Sequence, residues 1–230
     1  MSLGTIIAAV IIVAMIVYVA SGGADFGGGI WDLLATGPRA DKQRKLLWEA
    51  IAPIWEANHV WLIVALVLMF VAFPKGFAAI LTALHIPVTL MLIGIVLRGS
   101  SFAFRSYSAG DTNLERRSAI VFAVSSVATP LMLGVTAGAI ASGDLTISSE
   151  GVVQTDFVSA WLAPFPFAIG LYTLSLCAFL AAVYMTVEIR DDEDLREDFR
   201  SRALWSAVAV GITALASLVL ARDGAPVIWE

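Results

Sequence analysis

The chain has 230 residues, of which 59% are hydrophobic and 14% charged. Soluble domains carry about 25% charged residues, so this composition marks an integral membrane protein and excludes an ordinary soluble enzyme. No basic patch alternates with aromatics, which argues against nucleic acid as a partner, and the lone Cys177 excludes an internal disulfide or a multi-cysteine metal site.

The first predicted element is an apolar span from Leu3 to Ala20. It lacks the basic start of a signal peptide and reads as a retained helix. The glycine-rich stretch Ser21-Gly22-Gly23-Ala24-Asp25-Phe26-Gly27-Gly28-Gly29-Ile30-Trp31-Asp32 follows. It is not a phosphate loop, because no strand precedes it and no Gly-Lys-Ser/Thr follows. Gly23 and Gly27, four apart, let another helix approach closely. Asp25 sits between them, and Trp31 reads as an interface anchor. A basic loop holds Pro38, Arg39, Lys42, Arg44 and Lys45.

Helix 2 is predicted from Leu46 to Phe73, with a turn at Phe73-Pro74-Lys75-Gly76. Helix 3 is predicted from Phe77 to Phe104, with His85 inside it and Arg98 near its end. A mixed-charge loop then runs from Arg105 to Arg117. Helix 4 covers Ser118 to Ala141, with Ser125, Ser126, Thr129 and Pro130 as its polar points. A polar, acidic loop from Ser142 to Asp156 precedes helix 5, Phe157 to Val187. A charged run from Glu188 to Arg202, which reads as a solvated cap, leads into helix 6, Ala203 to Ala221.

The expected fold class is therefore an all-α integral membrane protein of about six transmembrane helices. The first four, residues 1–142, form a bundle. Residues 143–230 supply an acidic outer loop and two further membrane helices. Lys and Arg concentrate in the loops after helices 1, 3 and 5, so the positive-inside rule places those loops in the cytoplasm and both termini outside.

The chemistry-bearing residues gather on the front of helix 2, in Trp48-Glu49-Ala50-Ile51-Ala52-Pro53-Ile54-Trp55-Glu56-Ala57-Asn58-His59-Val60-Trp61. On one continuous helix Glu49 and Glu56 are two turns apart and share a face. An acid held in hydrocarbon costs several kcal/mol unless it is paired, hydrated or protonated, which makes Glu56 a functional candidate. Glu49 reads equally well as an interface marker. Counting residues, Asp25 and Arg98 fall near the cytoplasmic edge, with Glu56, His59 and His85 toward mid-membrane. Asp25, Glu56 and His59 then form a ladder suited to proton relay. The competing reading is that Asp25 and Arg98 form a neutralising pair that fixes helix 1 against helix 3. His59 and His85 are the only histidines. They could hold one haem in principle, but each is more often a hydrogen-bonded core residue. No nucleophile motif or dinucleotide fingerprint is present.

Three stretches, Gly23-Ala24-Asp25-Phe26-Gly27-Gly28-Gly29-Ile30-Trp31-Asp32-Leu33-Leu34, Ile51-Ala52-Pro53-Ile54-Trp55-Glu56-Ala57-Asn58-His59-Val60-Trp61-Leu62 and Leu97-Arg98-Gly99-Ser100-Ser101-Phe102-Ala103-Phe104-Arg105, resemble subunit II of the cytochrome bd-type quinol oxidases. The variant looks like the cyanide-insensitive branch. Similarity is clear through helix 4 and weaker through Trp161–Phe165 and helix 5. The resemblance implies a respiratory terminal oxidase that oxidises quinol and reduces dioxygen to water in the cytoplasmic (inner) membrane of a prokaryote. It implies that this chain holds no cofactor. Haem b with haem d-type or b-type haems, and the quinol site, belong to the partner, subunit I. It further implies that subunit II supports that partner and contributes a proton path at the positions matching Asp25 and Glu56, and that Trp55 stands near a structural quinone.

Two departures stand out. Ser21-Gly22-Gly23 offers no acid where many relatives carry one before the matched aspartate. The family also has eight spans in two groups of four, so the chain reads as a short form with an incomplete second bundle, completed by another small accessory membrane subunit or altered as a gene product. Two other functions remain open: a proton- or cation-coupled transporter, and a purely structural scaffold.

Overall fold

The computed structural model describes residues 2–51, 55–107, 112–148 and 153–229. Among them run the helices α1 (Leu3–Leu34), α2 (Ala40–Ile51), α3 (Trp55–Ala72), α4 (Pro74–Ala83), α5 (His85–Tyr107), α6 (Thr112–Ala141), α7 (Pro164–Glu188), α8 (Glu193–Gly224) and α9 (Pro226–Trp229). α1, α5, α6, α7 and α8 each carry a stretch long and apolar enough to cross a membrane. α3 turns through 117° into α4 at Phe73, and the bent pair taken together makes a sixth span or a re-entrant loop. The chain is thus an all-α membrane protein of five to six spans, as its composition demands. The only extended pairing among the described residues is an isolated bridge between Ile147 and Val153.

Several boundaries differ from expectation, each for a local reason. α1 does not stop at Ala20 but continues through the glycines to Leu34. Ser2 caps it, accepting from the Thr5 N–H at 3.2 Å. The glycines serve packing there, not turning. A Cβ on Gly27 would lie 1.9 Å from the main-chain oxygen of Cys177 on α7, so the two backbones touch at that point. A Cβ on Gly23 would meet the Leu180 Cδ1 at 3.0 Å on the same helix.

The predicted helix 2 resolves into α2 and α3, with the residues between them outside those described. Glu49 lies on α2, exposed, with its Oε1 3.9 Å from the Lys45 ammonium. The shared face expected of Glu49 and Glu56 depends on residues 52–54 and on the Glu56 side chain, which lie outside those described. α2 is amphipathic. Its Leu47 and Ala50 enter a core with Met185, Ile189, Leu195 and Phe199 from α7 and α8.

The predicted helix 3 divides at Leu84, whose N–H closes α4 onto the Ile80 carbonyl. Pro87 falls in the first turn of α5, where a missing N–H is tolerated. Much of the expected loop from Arg105 to Arg117 is helical, since α5 reaches Tyr107 and α6 begins at Thr112. α7 begins at Pro164, with proline in the first turn, and not at Phe157.

The charged run is also helix. Asp192 caps α8 by accepting from the Leu195 N–H at 3.0 Å. Part of its charge is spent on α2 rather than on water. Arg39 forks onto Asp198 at 2.9 and 2.5 Å, Lys42 bonds Asp192, and Gln43 donates to Asp198 at 2.9 Å while accepting from Arg202 at 2.7 Å. This polar clasp closes one end of the helix bundle. Inside, α1 packs on α3, α6 and α7, α5 on α6, and α7 on α8.

Candidate functional site

The centre of the site is Asp25, carried on the glycine-rich part of α1 and 1% exposed. Because α1 runs on to Leu34, Asp25 stands about 14 Å from that helix end. Its Oδ2 accepts a hydrogen bond from the Asn58 Nδ2 of α3 at 2.5 Å. Its Oδ1 is buried with no hydrogen-bond partner among the described residues.

Arg98 of α5 is 2% exposed and spans the gap to α1 and α6. Its Nη2 donates to the main-chain oxygen of Asp25 at 2.8 Å and its Nε to the Ser126 Oγ at 3.2 Å. Ser126 in turn donates to the Phe122 carbonyl at 2.7 Å. The guanidinium lies between the rings of Phe26 and Phe122, 4.9 and 5.0 Å from their centroids. Such stacking suits a weakly hydrated, planar cation held away from water. The hydrogen bond between Arg98 and Asp25 therefore uses the main chain, and the carboxyl bonds Asn58. α1 approaches α6 closely here: a Cβ on Gly29 would lie 2.1 Å from the Ser126 Oγ.

His59, one residue beyond Asn58, is half-buried. Its ring meets Tyr18 and Phe26 edge-on at centroid distances of 5.9 and 6.2 Å. His85 stands elsewhere, exposed at the start of α5, with Nδ1 3.0 Å from the Thr82 carbonyl and its ring 5.2 Å from Phe157. Roughly 20 Å of α3 separates His59 from the α4 end, so the two imidazoles do not converge on one haem. Among the described residues no three His, Cys, Asp or Glu side chains group as a metal site. The side chains of Trp55 and Glu56 lie outside those described.

The site thus joins Asp25 and Arg98, with His59 beside them, and adds four partners that were not named as site residues from the sequence: Asn58, Ser126, Phe26 and Phe122. Asn58 had one available signal: an amide inside an apolar helix needs a hydrogen-bond partner. Ser126 was visible as a polar point on helix 4. The rings of Phe26 and Phe122 carried none, because packing around a cation is a property of the fold. Chemically, the arrangement presents a carboxyl anchored through one oxygen and open at the other. Oδ1 is the atom on which a proton can be taken up or released.

Five apolar helices, or six with the bent pair of α3 and α4, packed around the buried Asp25 and Arg98 define a polytopic membrane protein. The family model described as cytochrome bd terminal oxidase subunit II matches residues 3–228. The chain belongs to that family. It is similar to the cytochrome bd ubiquinol oxidase subunit 2 of Bacillus subtilis, 26% identical over 196 residues, covering 85% of this chain and 56% of that protein. It is also similar to the cytochrome bd-I ubiquinol oxidase subunit 2 of Escherichia coli, 25% identical over 187 residues, covering 80% of this chain and 48% of that one. The chain therefore spans about half the length of these relatives. Its fold matches a chain of the bd oxidase of Geobacillus thermodenitrificans with a TM-score of 0.77 at 21% identity, over 98% of this chain and 68% of that chain.

Proposed function

We propose that the chain is the haem-free membrane subunit of a bd-type quinol:dioxygen oxidoreductase. It packs against a haem-bearing subunit I in a prokaryotic inner membrane and carries protons inward from the cytoplasmic side. Quinol is the substrate of the complex, and the haems, b with d-type or b-type, belong to the partner. Residues 1–142 form the functional bundle and residues 143–230 its flank. The observation that carries the reading is Asp25: a buried carboxyl with one oxygen free of donors among the described residues, at the meeting of α1, α3, α5 and α6. An acid at such a depth is retained against its desolvation cost when it has a role. Glu56 and His59 continue the route beyond Asp25, Arg98 supplies the fixed positive charge, and Trp55 contacts a structural quinone.

The test is purification through a tag on this chain, followed by a reduced-minus-oxidised optical spectrum and oxygen uptake on quinol. Haem bands, a larger membrane partner and quinol-dependent uptake are expected. Asp25→Asn and Glu56→Gln should each lower turnover at least about tenfold, in the range of a lost proton-transfer group, with haem content unchanged. Unchanged turnover in both variants would refute the proton path. A colourless chain without partner would refute the oxidase reading and favour transport.

A further inference from the structure

Where α1 ends, α2 and α6 leave a cleft of about 370 Å³, lined by Asp32, Leu33, Arg44, Arg116, Ala119, Ile120 and Ala123. Arg116, Ala119, Ile120 and Ala123 recur at i, i+3, i+4 and i+7, so they form one face of α6. That face descends about 10 Å from the arginine to Ala123. It is charged at the top and apolar below, with small alanines that leave room. Leu33 and Ile120 are 48% and 53% exposed, so the cleft opens sideways onto the apolar surface of the bundle.

The two arginines differ in how they are held. Arg44 is fixed at the end of α1: Nη2 donates to the Ala35 carbonyl at 2.8 Å, Nε reaches the Asp32 carbonyl at 3.4 Å, and Nη1 stands 3.4 Å from the exposed Asp41. Arg116 is exposed and has no hydrogen-bond or ion-pair partner among the described residues. Among the described residues the lining carries two guanidinium groups and one carboxylate, Asp32; Asp41 stands on Arg44, and Arg116 is the guanidinium left for an anion.

We propose that this cleft binds the phosphate headgroup of an anionic phospholipid, with Arg44 and Arg116 on the phosphate and an acyl chain along Leu33, Ile120 and Ala123. Two guanidiniums match phosphate geometry, and a basic pocket between membrane helices on the side rich in Lys and Arg suits lipids of that leaflet. A soluble anion would satisfy the arginines and leave the apolar wall bare. A neutral headgroup would bring an ammonium toward Arg44 and Arg116. The site is independent of the proton path, and its failure would leave that reading untouched.

The test is native mass spectrometry on the chain with whatever membrane partners copurify. After delipidation it is offered phosphatidylglycerol and phosphatidylethanolamine with the same acyl chains. Preferential retention of phosphatidylglycerol is expected. Arg116→Gln should weaken it about fivefold, the loss of one surface arginine. Ala119→Phe, which fills the wall and leaves both arginines, should weaken it at least as much. Equal retention of the two lipids, or retention unchanged in both variants, would overturn the proposal. Full displacement by millimolar inorganic phosphate would reassign the cleft to a free anion and overturn it as well.

Discussion

Replacing Gly27 with alanine adds one methyl group at the point where α1 and α7 touch. The new Cβ would stand 1.9 Å from the Cys177 oxygen and 2.6 Å from the Ala181 Cβ. Ordinary contact begins at 3.4 Å, so the helices must part by about 1.5 Å or bend, and overpacking of this kind costs about 1–3 kcal/mol. One turn further along, the Trp31 Nε1 donates to the Ala178 carbonyl at 2.8 Å. That bond stretches with the same displacement and costs about 1 kcal/mol more. The better helix propensity of alanine returns up to about 1 kcal/mol, which leaves a net loss of about 1–3 kcal/mol. Gly211→Ala is the matched control, because it lies within α8 with nothing inside 4 Å and changes the propensity alone. Membrane subunits unfold irreversibly in detergent, so the readout is the half-life of the fold at fixed temperature, followed by tryptophan fluorescence. The Gly27 variant should lose its fold about tenfold faster than wild type, in line with a loss near 1.4 kcal/mol expressed in the unfolding rate. The Gly211 variant should equal or outlast wild type. A Gly27 variant as durable as the Gly211 variant would refute the claim that these backbones touch.

Asn58→Leu keeps the volume and removes the donor to Asp25, so the buried carboxyl loses its protein hydrogen bond. A cost of about 1–3 kcal/mol is expected in the same assay, and an effect within error would mean that Asn58 does not hold the carboxyl. Arg39→Ala and Asp198→Ala, singly and together, should show a small but measurable non-additivity, since the pair is partly exposed. That coupling should fall in 1 M salt, and its absence would reduce the clasp to a crossing without energy. Asp192 is held below the usual carboxylate range mainly by the hydrogen bond from Lys42, with the Leu195 N–H adding to it. A lowered folded value stabilises above the unfolded pKa of about 3.9 and is lost as pH falls through the folded one. Hydrogen-exchange protection of the first turn of α8 should therefore be flat from neutral pH to about 5 and drop below about 4. Asp192→Asn should abolish that drop.

The membrane class and the approximate number of spans were legible because hydrocarbon thickness fixes the length of an apolar run. The helix boundaries were less so. Leu3 to Ala20 reads as the first span, followed by a glycine-rich stretch in which Gly23 and Gly27 admit another helix. Only the contact with Cys177 explains why glycine continues the helix there, and that contact joins residues far apart in the chain. In the stretch from Leu46 to Phe73, the packing of Leu47 and Ala50 against Met185, Leu195 and Phe199 was not legible, because it joins residues far apart in the chain. The candidate site was half visible. Asp25, Arg98 and His59 stand out as polar residues in apolar helices. The hydrogen bond from Arg98 to a main-chain oxygen, and its seat between Phe26 and Phe122, depend on how three helices cross. Charge in the run after Glu188 suggested solvation, and two of its carboxylates, Asp198 and Asp192, are instead spent on Arg39 and Lys42, residues about 150 positions earlier.

The sharp turn at Phe73 also sets how the protein meets its bilayer. α4 folds away from α3, so the straight part of this bent pair is 18 residues, about 27 Å, while its neighbour α1 has 32 residues, about 48 Å. Against a hydrocarbon layer of about 30 Å, one helix falls short and the other overshoots. Leaning the whole bundle to accommodate α1 would draw the ends of α3 further inside. The lipid must yield instead, thinning along the α3 flank at a cost of a fraction of a kcal/mol per Å. The molecule therefore carries a built-in asymmetry of membrane thickness around its perimeter, and short-chain lipids should gather on that flank.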